Sequence, residues 1–266
     1  MKNNVPNTPK SIILLIITCL LYLNVKLLPA DSSFAYSNGG IIRADCSQKT
    51  LSLIFTGGDF GDGGLLIRKV LKEKNVPASF FFTGDFYRSP NFKIIISGLH
   101  DDGHYLGAHS DKHLLYCSWE KRDSLLVTKQ QFVDDLLANY AEMKKFGIEQ
   151  ADARFFMPAY EWYNDSISAW TKEMDITLIN YTPGTLSNAD YTIPSMKNYR
   201  PTEMIYNSIV DYEKKDPRGL NGFLLLIHIG TDPERTDKFY YRLAELIDYL
   251  QKKGYTFVRI DKLLAL

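Results

Sequence analysis

The sequence has no excess charge of either sign. Its 266 residues include 31 Lys and Arg and 31 Asp and Glu, which gives a formal net charge of zero at pH 7. A balanced chain has no field that draws it to nucleic acid or to an anionic membrane surface, so we expect neither as a partner. The 45% hydrophobic content is ordinary for a folded globular protein and suffices for a full core.

Cysteine is also scarce, with three residues in the chain. Cys19 lies in an apolar N-terminal run, which leaves Cys46 and Cys117, and two residues are too few for a disulfide framework. Because Cys46 is predicted before the first strand and Cys117 beyond the end of another, we expect two free thiols.

The N-terminal segment, residues 1–35, is typical of an export signal or an N-terminal anchor. Lys2 and Lys10 precede the largely apolar run SIILLIITCLLYL, and a polar stretch follows it. Cleavage is expected after Ala30 or Ala35, and a retained anchor is the competing interpretation, although the run is short for a bilayer span. We therefore predict an exported protein, periplasmic, in the cell envelope or extracellular, whose folded domain covers residues 36–266.

Short β-rich runs alternate with helical patterns from residue 50 onward, with no break that marks a second domain. The predicted strands are residues 51–55, 78–82, 105–109, 154–158, 176–180, 223–229 and 255–260. Most are too continuously apolar to have a solvated face. No G-x-G-x-x-G motif or P-loop follows the first strand, which counts against a dinucleotide-binding open sheet. The pattern predicts an α/β fold, a distorted (β/α) barrel of about seven parallel strands.

Histidine is rare as well, and two of the five histidines, His109 and His113, stand four residues apart in GAHSDKHLLY. His109 ends a predicted strand, Asp59 follows the first strand after two glycines, and His228 lies near the end of a third. In such a barrel the C-terminal strand ends meet at one mouth, where catalytic groups lie. Each residue alone has an ordinary alternative, as a turn aspartate, a solvated histidine or a core histidine. Their joint occurrence at strand ends favours a metal site.

An aspartate and two histidines leave positions for water around a divalent ion, as a hydrolytic site requires. Asp59, His109 and His113 are therefore the predicted metal ligands. Zn²⁺ suits this set, and Ni²⁺ and Co²⁺ satisfy it too. His228, with an ordinary pKa of about 6.5, is the predicted proton donor to the leaving group. The set is suited to ester or amide hydrolysis.

The ordered segments FTGGD, HSDKH, RFFMPAY and LLIHIG resemble the polysaccharide deacetylases of carbohydrate esterase family 4, the NodB-homology domain, over roughly residues 50–260. The resemblance implies a NodB-type distorted (β/α) barrel and a metal-dependent deacetylase that removes N- or O-acetyl groups from a polysaccharide or oligosaccharide. It assigns the metal ion to Asp59, His109 and His113, and the role of general acid to His228. HSDKH and LIH, the latter residues 226–228, fit the family's second and last motifs without a change.

The first and third motifs depart from the family. The family's first motif is Thr-Phe-Asp-Asp, whose first aspartate is the catalytic base, and that position is Gly58 here. The arginine that precedes the proline of the third motif is Met157, unless Arg154 reaches the same place. In the family this arginine holds the base, so the two losses are consistent with each other.

The missing base leaves two interpretations of catalysis. Either another carboxylate takes the proton, with Glu161, Asp62 and Asp111 as candidates, or water activated by the metal reacts slowly without a protein base. Glu161 is the first choice because its segment AYEWY is predicted to face the same mouth. An ordinary surface carboxylate beside a tryptophan is its alternative.

The substrate groove is predicted from residues at the same mouth. Tyr160 stands where the family has a groove aromatic, and Pro158 and Trp162 lie beside it. Asp190 and Tyr191, in TPGTLSNADY, stand where the family has an aspartate and an aromatic residue that line the groove. The loop LLYCSWEKRDSLL, which follows the second motif, is expected to form one wall.

Two alternatives to the deacetylase remain open. One is a catalytically impaired carbohydrate-binding homologue, which Gly58 and Met157 favour and the retained histidines oppose. The other is a metal-dependent hydrolase of non-acetyl C–N bonds, including those of cyclic amides. A long open groove would indicate a polymer as substrate, and a deep capped one a small molecule.

Overall fold

The computed structural model describes Met1 and residues 34–265, and within them the fold is built around one mixed sheet of nine strands. The predicted export segment lies almost wholly outside these residues. The strands are β1 Ala35–Ser37, β2 Gly40–Arg43, β3 Thr50–Gly57, β4 Ser79–Phe82, β5 Tyr105–Ala108, β6 Phe155–Phe156, β7 Thr177–Leu178, β8 Phe223–His228 and β9 Thr256–Phe257. Their order in the sheet is β1-β2-β8-β3-β4-β5-β6-β7, and β9 pairs with β3.

The strands β3 to β9 correspond to the seven predicted ones, and all of them pair in parallel. The sequence analysis missed β1 and β2, which form an antiparallel hairpin, and β2 also pairs antiparallel with β8. Asn38 and Gly39 form the hairpin turn with φ of 44° and 76°. Asn-Gly favours two-residue turns with positive φ at both positions, so this dipeptide was the signal for the hairpin.

The two ends of the sheet approach each other and make it a nearly closed, curled structure. Ile41 on β2 forms a parallel bridge with Ile179, which follows β7. The backbone N–H of Asn180 donates to the carbonyl of Ile41 at 2.8 Å, and that of Thr182 donates to the carbonyl of Leu224 on β8 at 3.0 Å. The prediction of a distorted (β/α) barrel is thereby confirmed.

Helices connect the parallel strands. They are α1 Gly64–Lys74, α2 Gly84–Arg88, α3 Lys93–Asp101, α4 Lys129–Lys144, α5 Asp165–Glu173, α6 Thr202–Lys215, α7 Leu243–Lys252 and α8 Ile260–Leu263. Among residues 34–265, no helix combines the length and the apolarity needed to cross a bilayer. Cys46 is half-buried and Cys117 is buried, and both are free thiols as predicted.

The central parallel strands end together, and this creates the mouth of the barrel. In the sheet register, Gly57 pairs with Phe82 and Phe82 with Ala108, while Thr56 pairs with His228. The residues that follow β3, β4, β5 and β8 therefore leave the sheet at one edge. Side chains from four separate parts of the chain meet there, as the C-terminal face of a (β/α) barrel allows.

Candidate functional site

A cavity of about 650 Å³ opens at this edge of the sheet. The predicted site residues that line it are Asp59, His109, His113, Tyr160, Glu161, Tyr191 and His228. Three other predicted site residues, Pro158, Trp162 and Asp190, do not line it. The cavity size and its mixture of aromatic and titratable side chains are those of a small-ligand or enzyme site.

His109 and His113 face the cavity as neighbouring rings, with their centroids 5.2 Å apart. Nδ1 of His109 lies 2.8 Å from the carbonyl oxygen of Met157. Because a carbonyl only accepts, this contact puts the proton on Nδ1 and leaves Nε2 with a free electron pair. His113 is held in the left-handed conformation, with φ of 53°, which turns its ring towards that of His109.

Both imidazoles are neutral at neutral pH. Burial lowers the pKa of His109 well below its ordinary value, and the nearby His113 and His228 lower it further. Burial also lowers the pKa of His113, against the opposing attraction of Asp59. Neutral imidazole is the form that binds metal ions.

The histidine turn is organised by Asp135, a buried carboxylate on α4 that the sequence analysis missed. It accepts hydrogen bonds from the Ser110 hydroxyl at 2.8 Å and the Tyr116 hydroxyl at 2.9 Å. It also accepts from the backbone N–H groups of Asp111 at 3.1 Å and Lys112 at 3.0 Å. Bonds to an ionised carboxylate are about twice as strong as neutral ones, so this contact set fixes the turn firmly. The signal for it was a carboxylate on the face of α4 that also carries Phe132, Leu136 and Met143.

His228 and Asp190 form a hydrogen-bonded pair at the end of β8. Asp190 places Oδ1 2.6 Å from Nδ1 of His228, and its Oδ2 accepts the backbone N–H of His228 at 2.9 Å. Burial lowers the pKa of His228, but the charge and the hydrogen bond of Asp190 outweigh it, so the net shift is upward. Asp190 was predicted to contact substrate, whereas the structure places it behind His228, where it is buried and orients the ring.

Glu161 enters the cavity from a strained turn after β6. Tyr160 and Glu161 have φ of 59° and 52°, a left-handed conformation that is uncommon outside glycine and concentrates at functional sites. The side chain of Asn180 holds this turn by donating to the Glu161 carbonyl at 2.8 Å. Burial raises the pKa of Glu161 to about 7, with His228 opposing the shift and Asp190 adding to it. Burial thereby brings the pKa of this carboxyl group towards the range in which a general base works at neutral pH.

The other two candidate bases are engaged elsewhere. Asp62 accepts a hydrogen bond from the Tyr240 hydroxyl at 2.6 Å, and Asp111 forms an ion pair with Arg88. Neither lines the cavity. Arg154 is exposed and donates to a backbone carbonyl of its own turn, so it does not take the place of the arginine that the third motif lacks.

The end of β3 brings a hydroxyl group, and no carboxylate, to the cavity floor. Thr56, the neighbour of His228 in the sheet, is buried, and its Oγ1 has no hydrogen-bond partner among residues 34–265. Gly58 and Asp59 follow the strand, and Asp59 is exposed. A Cβ atom at Gly58 would meet Thr83 at 3.6 Å, an ordinary contact, so this position accommodates a side chain.

The predicted metal ligands fit a divalent ion only in part. The two neutral imidazoles have the right chemistry, because the bond to Met157 leaves Nε2 of His109 free to bind a metal. Across Met1 and residues 34–265, however, no three His, Cys, Asp or Glu side chains are grouped so that they could hold an ion. Asp59 is near enough to shift the pKa of His113, but its carboxylate stays on the exposed turn after β3.

Two of the predicted substrate-contacting aromatics flank the cavity. The ring of Tyr160 lies 4.3 Å from that of His113, and the ring of Tyr191 lies 5.4 Å from that of His228. Pro158 is buried, and Trp162 is half-buried outside the cavity lining. The two tyrosines therefore line the cavity, whereas Pro158 and Trp162 flank Tyr160 in the turn after β6.

Comparison with known proteins points to one family. The family model for polysaccharide deacetylase matches residues 45–179 of this chain. The peptidoglycan-N-acetylmuramic acid deacetylase PdaA of Bacillus subtilis (strain 168) is 24% identical over 218 residues, which cover 82% of this chain and 72% of PdaA.

Solved structures share the fold. A family 4 carbohydrate esterase from Bacillus anthracis superposes with a TM-score of 0.62 at 26% identity, over 86% of this chain and 88% of that one. BA3943 from Bacillus anthracis, described as a CE4 family pseudoenzyme, has a TM-score of 0.66 at 17% identity, over 86% of this chain and 70% of that one. A mutant of BA3943 is described as having restored enzymatic activity.

Replacing Asp190 with Asn tests the histidine–aspartate pair. We expect the pKa of His228 to fall in Asp190→Asn, because burial then acts with only Glu161 to oppose it. The measurement is an NMR titration of the imidazole protons of the folded variant. Asp85→Asn, which changes a carboxylate that also lines the cavity, is the control and should leave His228 unchanged. An unshifted His228 in folded Asp190→Asn would contradict the pairing.

Proposed function

Because the chain belongs to the polysaccharide deacetylase family, we propose that it is a carbohydrate deacetylase, a hydrolase that removes an acetyl group from a nitrogen or oxygen of a glycan. The observation that carries the proposal is the pairing of two titratable groups in one cavity. Glu161, whose pKa is about 7, and His228, whose pKa is raised, both line it and interact electrostatically. A base and an acid that are both tuned towards neutral pH are what acyl hydrolysis requires.

The proposed reaction uses these two residues in complementary roles. Ionised Glu161 takes a proton from a water molecule as its oxygen bonds to the acetyl carbonyl carbon. Protonated His228 then gives a proton to the leaving nitrogen or oxygen as the bond to the acetyl group breaks. Acetate and a free amine or hydroxyl group are released. Asp190 keeps the His228 ring in the orientation in which Nδ1 is bonded and Nε2 carries the transferable proton.

We include a divalent ion, Zn²⁺ first, held by His109 and His113 with Asp59 as the third ligand. Such an ion would supply polarisation of the acetyl carbonyl and acidification of water. The neutral state of both imidazoles and the free Nε2 of His109 support this part of the proposal. The incomplete grouping of the three side chains is the reason to test the ion separately from activity.

The substrate and location follow from the relatives and the N-terminal sequence. PdaA is by name a deacetylase of N-acetylmuramic acid in peptidoglycan, which supports a cell-envelope glycan as the substrate here. The export pattern of residues 1–35 supports a location outside the cytoplasm, in the periplasm, the envelope or the medium.

A second candidate function is a glycan-binding homologue with little or no catalysis. The observation in its favour is the end of β3, where Thr56, Gly57 and Gly58 offer no carboxylate. The BA3943 pseudoenzyme, which shares the fold, supports it as well. The two candidates differ in whether Glu161 supplies a working base.

Acetate release from N-acetylated oligosaccharides tests the primary proposal. We expect Glu161→Gln to lower the rate at least about 100-fold, since general base catalysis typically contributes about 10²–10⁴-fold. In the wild type the rate should rise with pH through about 7 as Glu161 ionises, and fall above the raised pKa of His228. The charged or titratable groups that face Glu161 are His228, Asp190 and Tyr181.

The control for this prediction is Glu149→Gln, which changes an exposed glutamate that pairs with a lysine on the surface. It should match the wild type at every pH. Wild-type release that Glu161→Gln leaves unchanged would contradict the role of Glu161. The absence of release from any acetylated glycan would favour the glycan-binding candidate.

Calorimetric titration with ZnCl₂ tests the metal site without reference to activity. We expect one Zn²⁺ per chain in the wild type, and affinity at least about 10-fold lower in His109→Ala and in His113→Ala. Asp59→Asn should also weaken binding, and Asp232→Asn, another residue of the cavity lining, is the control. Equal affinity in Asp59→Asn and the wild type would remove Asp59 from the ligand set.

A carboxylate added at the end of β3 separates the two candidate functions. If the chain is an impaired homologue, Thr56→Asp should raise acetate release at least about 10-fold, because Thr56 lines the cavity and pairs with His228 in the sheet. Gly58→Asp tests the position that the motif indicates, and Thr56→Asn is the uncharged control. No gain from either aspartate would count against an impaired enzyme.

A further inference from the structure

A buried arginine, Arg235, lies in the loop that follows β8 and does not line the cavity. Its ion pair with Asp237 is long, 3.7 Å between Nε and Oδ1, and Nε has no hydrogen-bond partner among residues 34–265. The carboxylate of Asp237 is instead engaged by the Tyr199 hydroxyl and by the backbone N–H of Thr202, both at 2.8 Å. A buried charge with so loose a counter-ion is costly, so the other contacts of the guanidinium have to account for it.

These contacts join the two ends of the loop of residues 192–200, which contributes to the cavity lining. Nη1 of Arg235 donates to the carbonyl of Thr192 at 2.6 Å. Nη2 donates to the carbonyl of Arg200 at 3.0 Å and to the Thr202 hydroxyl at 3.1 Å. The backbone N–H of Arg200 also donates to the hydroxyl of Thr192 at 3.1 Å. A rigid planar fork of donors suits such a bridge between backbone carbonyls, and a lysine side chain does not provide it.

Thr192 connects this bridge to the turn that precedes it. Thr192 is fully buried, and both its backbone N–H and its hydroxyl donate to the carbonyl of Ala189, at 3.1 Å and 2.7 Å. Ala189 ends the 3₁₀ turn Ser187–Ala189, and Asp190 is the residue that caps it. The carbonyl that Arg235 holds therefore lies two residues beyond Asp190, in a residue that is bonded to the turn carrying Asp190.

A displacement of this turn would act directly on the proposed proton donor. Asp190 contacts His228 at two points, with Oδ1 2.6 Å from Nδ1 of the ring and Oδ2 accepting the backbone N–H at 2.9 Å. A continuous series of contacts thus runs from Arg235 through Thr192 and Asp190 to His228. Misplacement of a reacting group by about 1 Å can lower a rate about 100-fold, so support at this distance affects catalysis.

We infer that Arg235 is a positioning residue for His228, because it fixes Thr192 and thereby the turn that holds Asp190 against the imidazole ring. The effect on rate rests on the proposed function, in which His228 gives its proton to the leaving group. The inference adds a residue outside the cavity on which the alignment of that proton depends.

The charge of Arg235 also acts on His228, with the opposite sign to the positioning effect. Burial lowers the pKa of His228, Asp190 and Glu161 raise it, and Arg235 lowers it. Two further titratable groups interact with the ring, His109 and His113. Loss of the arginine charge alone would raise the pKa of His228, whereas release of Asp190 from the ring would lower it. The direction of the shift therefore distinguishes the two effects.

NMR titration of the His228 imidazole tests the inference without turnover. In folded Arg235→Met the pKa of His228 should fall by at least about 0.5 pH units, because Asp190 is no longer held at hydrogen-bond distance. A raised or unchanged pKa overturns the inference. Arg218→Met, which changes an exposed arginine outside the cavity lining, is the control and should leave the pKa of His228 unchanged.

A second variant keeps this test decisive if Arg235→Met does not fold. Thr192→Val retains the arginine charge and the shape of the side chain, and it removes the hydroxyl that bonds to Ala189 and Arg200. It should lower the pKa of His228 in the same direction, since the turn that carries Asp190 loses one of its restraints. An unchanged pKa in folded Thr192→Val would count against the series of contacts.

Acetate release from N-acetylated oligosaccharides measures the effect on rate. Arg235→Met should lower kcat at least about 10-fold and change KM less, because His228 acts as the bond to the leaving group breaks. In an Asp190→Asn background, where the contact with His228 is already altered, Arg235→Met should lower kcat by no more than about 2-fold. Equal losses in the two backgrounds contradict positioning through Asp190. If the wild type releases no acetate from any glycan, the proposed function fails, and the titration alone decides the inference.

Discussion

The site depends on one buried carboxylate, Asp135, and on the four donors that surround it. The contacts from Ser110, Asp111 and Lys112 fix the turn that presents the two histidines. The contact from Tyr116 fixes the base of the loop of residues 116–126, which carries Trp119 of the cavity lining. A carboxyl group buried at this depth is tolerable because these hydrogen bonds replace its contacts with water. Both the turn that carries the two histidines and the base of the loop after it therefore take their positions from α4, which itself contributes no residue to the cavity lining.

The parallel strands form the edge of the sheet at which the site lies, and the turns that follow them carry several of its functional side chains. The parallel strands bring their ends together, but His113, Tyr160 and Glu161 all lie in turns with φ between 50° and 60°. Such conformations cost free energy in residues other than glycine and persist only where surrounding contacts enforce them. Here the enforcing contacts are Asp135 for one turn and Asn180 for the other. The strained backbone thus lies in the two turns that carry the proposed metal ligand His113 and the proposed base Glu161.

The sequence alone was sufficient for the seven parallel strands and for the edge at which their ends meet, but it did not predict the hairpin of β1 and β2. Continuous apolar runs predicted all seven parallel strands, and their ends predicted where His109 and His228 lie. What it did not reveal were contacts made by side chains beyond the strand ends. The sequence analysis matched Asp190 to a residue that lines the groove in the family. The turn that carries Asp190 instead places its carboxylate behind His228, against Nδ1 of the ring. Asp135 gave only a weak signal, an acidic residue in a helix. Its hydrogen-bond partners come from a loop, and the spacing of residues along the sequence does not predict how a loop is oriented.

The two positions at the end of β3 that correspond to the first motif differ in their surroundings. If the family's Thr-Phe-Asp-Asp is aligned on Phe55, the two aspartate positions become Thr56 and Gly57. Thr56 lines the cavity beside His228, and its buried Oγ1 has no hydrogen-bond partner among residues 34–265. At Gly57 an added Cβ would lie 2.7 Å from Cγ2 of Ile229, within packed core, so a side chain there requires the core to shift. A third metal ligand on this side would therefore come from the turn beyond the strand, where Asp59 stands, whereas a carboxylate at position 56 would lie beside His228.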